Sequence, residues 1–454
     1  MRSRAASRRQ HATKRANPGV SAGWPGANAS AASRRTRANA IGKTLRASCH
    51  KSAHWRYARV LRRQPAKPDV FKEKNDVTAL LPQPDPEGLL EYSVVYTDRA
   101  LNHMSQRFQG VMKDISRLLK QVYHADATAI VPGSGTFGME AVARQFATDQ
   151  KVLVIRNGWF SFRWTQIFEM GRIPADTQVL KARQVGSGPQ APFAPAPIDE
   201  VVATIRAYRP AVVFAPHVET ASGMMLPDSY LQAVGEAVRE VGGLFVLDCI
   251  ASGTVWVNMQ ANLVDVLISA PQKGWSASPC GALIGLSERA LARLNDTTST
   301  SFACDLKKWR QIMEAFETGS HAYHATMPTD ALAVLRDVML ETEQYGFDNV
   351  CAEQHELGRQ VRALLEARGF PSVAAEGFQA PGVVVSYTTD PEIQTGKKFL
   401  ATGLQTAAGV PLQCDEGADF RSFRVGLFGL DKLHDPARTV ASLAEGLDKV
   451  LGAA

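Results

Sequence analysis

The chain has 454 residues, 45% of them hydrophobic and 21% charged, a balance that excludes a disordered, collagen-like or coiled-coil protein and allows a sizeable core in more than one domain. No apolar run approaches the roughly 20 residues that cross a bilayer. The six cysteines (Cys49, Cys249, Cys280, Cys304, Cys351, Cys414) include no C-x-x-C pair, against a disulfide framework or a zinc site and in favour of a reduced, cytoplasmic compartment. The formal charge of +7 is lopsided: residues 1–67 hold 17 Lys/Arg and no acid, so the remainder carries a net −10.

Residues 1–70 mix Arg2, Arg4, Arg8, Arg9, Arg34, Arg35 and Arg37 with Ser, Ala, Asn and Gly, a composition that cannot bury enough apolar surface to offset its ordering entropy. Disorder is expected there. Three readings stay open: no working part of the protein, a transit peptide that would make the localisation organellar, and a basic arm for nucleic acid. No nucleic-acid function follows from composition alone.

From about Asp69 the composition turns globular. Apolar residues at helical spacing (Phe108, Val111, Met112, Ile115, Leu118, Leu119, Val122) predict an amphipathic helix over 102–124. Short β-rich bursts follow at 127–131, 151–155, 211–215, 244–247 and 264–270, with helical patterns such as 139–146 and 229–241 between them. That alternation predicts an α/β fold with a mostly parallel sheet between layers of helices. The Gly/Pro/Ala run 186–197 reads as a surface loop. Beyond Pro328 come a long helical stretch (329–368), a strand near 382–387, a helix near 397–407, a strand near 423–427 and a last helix to Val450. The expected organisation is a basic extension (1–70), a large domain with an N-terminal arm (71–328) and a small C-terminal α+β domain (329–454).

In open parallel sheets ligands bind beyond the carboxyl ends of the strands, and the residues there form a pattern. Pro132-Gly133-Ser134-Gly135-Thr136 leads into a helix whose free N–H groups could receive a phosphate. Asn157-Gly158-Trp159-Phe160, with Arg163 following, offers an aromatic face, and His217-Val218-Glu219-Thr220-Ala221-Ser222-Gly223 offers polar groups in a turn. Asp248 ends a buried strand and calls for a cation opposite. Lys273, in Gln272-Lys273-Gly274-Trp275, stands beyond the next strand, where a desolvated amine can attack a carbonyl. Taken singly, each is more often a turn, a cap or core packing. Together they match one cofactor, pyridoxal 5'-phosphate, whose aldehyde suits a lysine, its pyridinium an aspartate, its phosphate a glycine-rich helix start and its ring an aromatic residue.

From Leu101 onward these motifs, with Tyr323-His324-Ala325-Thr326-Met327-Pro328 and Phe423-Arg424-Val425-Gly426-Leu427-Phe428-Gly429, resemble the class V aminotransferases of the fold-type I pyridoxal phosphate enzymes, in particular the alanine/serine–glyoxylate (or pyruvate) group. The resemblance implies a seven-stranded-type sheet and a homodimer with two shared active sites. It also implies that Lys273 forms the Schiff base with the cofactor and shuttles the substrate's α-proton, and that Asp248 pairs with the pyridinium. Phe160 would stack on the ring, Thr220 would bond its hydroxyl, and Ser134, Gly135, Thr136 and Gln272 would hold the phosphate. Tyr323 and Thr326 would reach the phosphate of the neighbouring subunit, and Arg424 would grip the substrate carboxylate in a bidentate fork.

The implied activity is a ping-pong transamination from a small amino acid of alanine or serine type to a 2-oxo acid, glyoxylate or pyruvate. Two departures bear on the substrate. Where many relatives have a Gly-Pro-rich loop, this chain reads Pro82-Gln83-Pro84-Asp85-Pro86-Glu87-Gly88, and Thr136 also resembles the 2-aminoethylphosphonate–pyruvate aminotransferases. A lyase or cysteine desulfurase on the same scaffold is the other rival; Gln272 stands where desulfurases place histidine. His321 and His324 have near-helical spacing but no nearby acid or cysteine, so no metal site is expected. Nor is a nucleic-acid or membrane partner.

Overall fold

The computed structural model describes residues 82–452; the expectations for the basic extension 1–70 lie outside the described residues. The first helix, α1 (Gln106–Tyr123), buries the face that periodicity picked out, Phe108 through Val122. It starts four residues later than spacing alone predicts. The Asn102 side chain accepts from Met104 N, which holds residues 102–105 in a turn, and the Ser105 hydroxyl then caps the helix by accepting from Phe108 N.

Seven strands build the main sheet: β1 (Ala127–Pro132), β2 (Lys151–Arg156), β3 (Asp176–Lys181), β4 (Val212–Pro216), β5 (Leu244–Asp248), β6 (Val266–Ser269) and β7 (Gly281–Leu286). Their order is β1-β7-β6-β5-β4-β2-β3, and only β7 runs antiparallel to its neighbours. The predicted mostly parallel sheet is thus met, and six strands deliver their carboxyl ends to one edge. The strands β4, β5, β6 and β7 are buried throughout, as expected of a sheet covered on both faces. The helices α2 (Gly135–Phe146), α3 (Trp159–Gly171), α4 (Ile198–Tyr208), α5 (Asp228–Glu240), α6 (Glu288–Asp296) and α7 (Leu306–Glu317) connect and flank them.

After α7, α8 (Thr329–Tyr345) and α9 (Phe347–Glu366) replace the single stretch expected over 329–368. Gly346, at φ 104°, breaks the helix, and Trp256 Nε1 donates to the Phe347 carbonyl at the break. A three-stranded antiparallel sheet follows, with β8 (Val383–Tyr387), β9 (Ala407–Ala408) and β10 (Ser422–Gly426) in the order β8-β10-β9. The helix expected near 397–407 is confined to Lys397–Ala401, because Ala407 and Ala408 pair with Arg424 and Phe423 instead. A last helix, α10 (Pro436–Leu451), packs against α9, and Val384, Phe423, Val425, Leu443 and Leu447 form a core separate from that of the main sheet. The described residues belong to one compact unit. No helix among them is long and apolar enough to cross a membrane.

The turn after β6 is held from two sides. Gly274 passes so close to Gly253 that a Cβ would lie 2.0 Å from the Gly253 carbonyl oxygen, and Ser276 Oγ accepts from Leu430 N at 2.9 Å. Backbone cannot yield as a flexible side chain can, so Gly274→Ala should destabilise the protein by about 1–3 kcal/mol or more, read as a lowered urea midpoint.

Candidate active site

The parallel strands place five groups around one edge of the sheet. In the register of β5, Asp248 lies opposite Pro216 of β4 and Ile268 of β6, so it opens at the level where β4 gives way to His217-Val218-Glu219 and β6 to the turn carrying Lys273. From β2 the chain enters α3 through Asn157 and Gly158, which brings Phe160 and Arg163 to the same region. From β1 it enters α2. Ser134 is the N-cap of α2 with extended backbone and no side-chain cap bond; Phe137 N and Gly138 N donate to its carbonyl, which leaves the Gly135 and Thr136 N–H groups available to an anion.

Asp248 is more than nine-tenths buried and accepts a hydrogen bond from Ile250 N at 2.9 Å. Among the described residues no salt bridge includes it. Burial pushes its carboxyl up to about 7, and Glu219 adds to the rise, while Ile250 N, Arg163 and Lys273 oppose it. Burial likewise pulls the Lys273 amine below its usual range, helped by Arg424 and Arg163 and opposed by Asp248. The amine lies 5.0 Å from the centre of the Phe428 ring, beside a cleft of about 350 Å3 lined in part by Gln272, Ser276, Val338 and Phe428.

Two guanidinium groups face Phe160, Arg163 at 5.2 Å and Arg424 at 5.5 Å from the ring centre. Arg163 Nη1 donates to Thr136 Oγ1 at 3.0 Å, and Arg424 Nε donates to the Ala408 carbonyl at 2.8 Å. Burial lowers the proton affinity of Arg424, against the pull of Glu219. Lys273, Asp248, Phe160, Thr136 and Arg424 therefore gather as one constellation. Ser134 and Gly135 form the rim at the start of α2, Gln272 is exposed next to Lys273, and Thr220 is buried in the turn after β4. Tyr323 and Thr326 stand apart: their hydroxyls lie 3.1 Å from each other, and the half-exposed Tyr323 ring rests on His103.

Residue-by-residue sequence reading gave no role to two buried groups that organise this edge. The Glu219 carboxylate accepts from Phe160 N, Ser161 N, Ser161 Oγ and Ala221 N at 2.7–3.2 Å. It thereby caps α3 from another element and fixes where Phe160 stands. Burial raises its carboxyl, and those hydrogen bonds pull the other way. His217 Nδ1 lies 2.7 Å from Ser252 Oγ, joining the end of β4 to the segment after Asp248; burial and the neighbouring His355 push the imidazole down to about 4. The only available signal was one acid and one imidazole in a short polar turn directly after a buried strand. His321 and His324 go to different partners, the His103 ring and the Phe302 carbonyl, and among the described residues no cluster of metal-ligating side chains forms.

The donor set suits pyridoxal phosphate. An uncapped helix start can meet a phosphate, a buried acid without a cation can meet a pyridinium, a desolvated amine can meet an aldehyde, and a half-buried ring offers a stacking face. The cradle is narrow: a Cβ at Gly135 would lie 2.5 Å from Ile250 Cδ1, two residues after Asp248.

No family model matches the chain. Among curated proteins it is 23% identical over 352 residues to the soluble hydrogenase small subunit of Synechococcus sp., covering 77% of this chain and 87% of that one. It is 25% identical over 337 residues to L-aspartate–glyoxylate aminotransferase of Paracoccus denitrificans (71% and 76%). It is 27% identical over 346 residues to a 2-aminoethylphosphonate–pyruvate transaminase of Burkholderia lata (73% and 86%). Among solved structures, alanine–glyoxylate aminotransferase from Nostoc sp. superposes with a TM-score of 0.63 at 24% identity, covering 77% of this chain and 89% of that one. The fold is thus shared with solved aminotransferases, and the aminotransferases named among the relatives are of the glyoxylate or pyruvate kinds that the motifs resemble.

A carboxyl that titrates near 7 when folded and at 3.8 otherwise favours the folded state below about pH 4 and loses that contribution as pH rises towards 7. In the ligand-free protein, Asp248→Asn should therefore be the more stable variant at pH 8, by on the order of a few kcal/mol. The difference should vanish near pH 4. Urea midpoints measured across that range would test the sign.

Proposed function

We propose that this chain is a pyridoxal phosphate-dependent aminotransferase that passes an amino group from a small amino acid, of alanine or serine type, to glyoxylate or pyruvate. The observation that carries the reading is the meeting of Lys273, Asp248, Phe160 and Arg424 with the open start of α2 at one sheet edge. When bound, the cofactor supplies an electron sink for charge developed at the substrate's α-carbon and stores nitrogen between the two half-reactions.

The protein's part is to bind, orient and move protons. Asp248, already inclined to keep a proton near neutral pH, would share one with the pyridine nitrogen and so hold the ring electron-poor. Lys273 would hold the aldehyde end and, once released by the incoming amino group, its free amine, made easier to deprotonate by burial, would take the α-proton and return it during the opposite half-reaction. Phe160, fixed by Glu219, would stack on one face of the ring. Thr220 would bond the ring hydroxyl, while Ser134, Gly135, Thr136 and Gln272 would hold the phosphate. Arg424 would fasten the substrate carboxylate.

We further propose a homodimer in which Tyr323 and Thr326, exposed and hydroxyl to hydroxyl, complete the phosphate site of the partner. In this scheme residues 71–328 form the cofactor domain and residues 329–454 the small domain. An aminophosphonate donor is the second reading, supported by Thr136 and by the Burkholderia lata relative. A desulfurase is disfavoured, because Cys280 is buried and its thiol is pushed up to about 11, the opposite of a reactive thiolate.

Lys273→Ala should lower turnover by at least about 10²–10⁴-fold while the protein remains folded, and borohydride treatment with cofactor should leave an adduct on the 273 peptide of the wild type alone. Wild-type turnover in that variant would end the proposal. Arg424→Gln should raise KM for alanine and for glyoxylate roughly 10- to 100-fold, with less effect on a donor that has no carboxylate. Initial rates at varied donor and acceptor should give the parallel lines of a ping-pong reaction.

A further inference from the structure

Arg163 is a guanidinium without an acid. Among the described residues no salt bridge includes it, and its hydrogen bond, from Nη1, goes to the neutral Thr136 hydroxyl at 3.0 Å. Thr136 lies in the first turn of α2, whose uncapped N-terminus carries partial positive charge. A second positive group there is unfavourable by itself, and Lys273, which Arg163 also repels, makes a third; Asp248, close enough to attract Arg163, offsets only part of this. An independent sign that the opening awaits a ligand is Asp248, more than nine-tenths buried and bonded to Ile250 N with no cation paired to it.

The site therefore has an acidic end at Asp248 and a strongly anion-seeking end where α2, Thr136 and Arg163 meet. Arg424, the other guanidinium on Phe160, belongs to a different element, β10, and is tied to the Ala408 carbonyl. The two arginines thus approach the ring from separate elements, Arg163 linked to the helix start and Arg424 to the small sheet. A dianionic phosphate monoester suits the Arg163 end, where backbone N–H groups supply partial charges and the guanidinium supplies a full one in fork geometry.

We propose that Arg163 is a ligand of the cofactor's phosphate, additional to Ser134, Gly135, Thr136 and Gln272, and that it swings from Thr136 onto the phosphate when the cofactor enters. This inference rests on the aminotransferase reading. The alternative source of the same anion chemistry is a second acid group on the substrate, and the test separates the two.

The experiment compares Arg163→Gln, Arg163→Lys and the wild type, each stripped of cofactor. Binding of pyridoxal phosphate and of unphosphorylated pyridoxal is followed by absorbance, and protection of the unloaded protein by inorganic phosphate is followed by thermal shift. Loss of a charge-assisted contact should weaken pyridoxal phosphate binding to Arg163→Gln by about 10- to 100-fold and leave pyridoxal binding unchanged. Arg163→Lys should fall between, and the thermal shift from phosphate should shrink in Arg163→Gln. Equal weakening toward both forms of the coenzyme would overturn the proposal in favour of a packing role. Unchanged coenzyme binding with a raised KM for an acidic donor such as aspartate would overturn it in favour of a substrate contact. Should Arg163→Gln fail to fold, Arg163→Lys decides by the same comparison. A wild type that binds neither form would overturn the aminotransferase reading itself, whereas a wild type that binds both and variants that match it would overturn the Arg163 assignment alone.

Discussion

The site depends on a carboxylate withheld from water. Asp248 closes a strand buried along its length, and its neighbours in the sheet are Pro216 and Ile268, neither of which has a side chain able to bond it. A charge in such a place is tolerated only when a cation or a protonated heterocycle faces it, and the Ile250 N–H offsets part of the cost. The other features follow from that constraint. Lys273 and Arg163 are near enough to matter electrostatically, yet no salt bridge among the described residues cancels the acid, so its affinity for a positive partner is retained.

The aromatic side of the site rests on a second buried acid. Glu219 sits on the turn after β4 but spends its carboxylate on the first N–H groups of α3. The position of Phe160 is therefore set by a residue on another strand and not by its own helix. Ser161 contributes a hydroxyl to the same carboxylate, which leaves Glu219 well satisfied despite complete burial and makes this corner a rigid support for a planar ligand.

Much of this was legible in the sequence because parallel strands announce themselves twice, as apolar bursts and as polar residues at their ends. Asp248 and Lys273 stood out as charged groups immediately after buried runs. Two strands of the main sheet escaped for physical reasons. β3 is an edge strand with partly exposed positions, and its Asp176, Gln178 and Lys181 dilute the β signal. β7 carries Gly281 and Gly285, where close neighbours at Val131 and Met259 leave no room for a side chain, so packing overrides propensity. The start of α3 at Trp159 was not legible because its cap, Glu219, comes from far along the chain. The break at Gly346 was hidden inside a continuous helical pattern, since periodicity is blind to one glycine at positive φ.

The strand that carries Arg424 runs directly into Phe428 and Leu430. The first of these lies against the Lys273 amine, and the backbone of the second is bonded to Ser276 in the lysine's own turn. The proposed carboxylate clamp is thus tied to the turn of the proposed base through the seven residues from Arg424 to Leu430. Drift in that stretch would disturb the surroundings of both side chains together, which leaves it little freedom to diversify. New donor preferences in descendants of such a scaffold would accordingly have to arise elsewhere around the cleft.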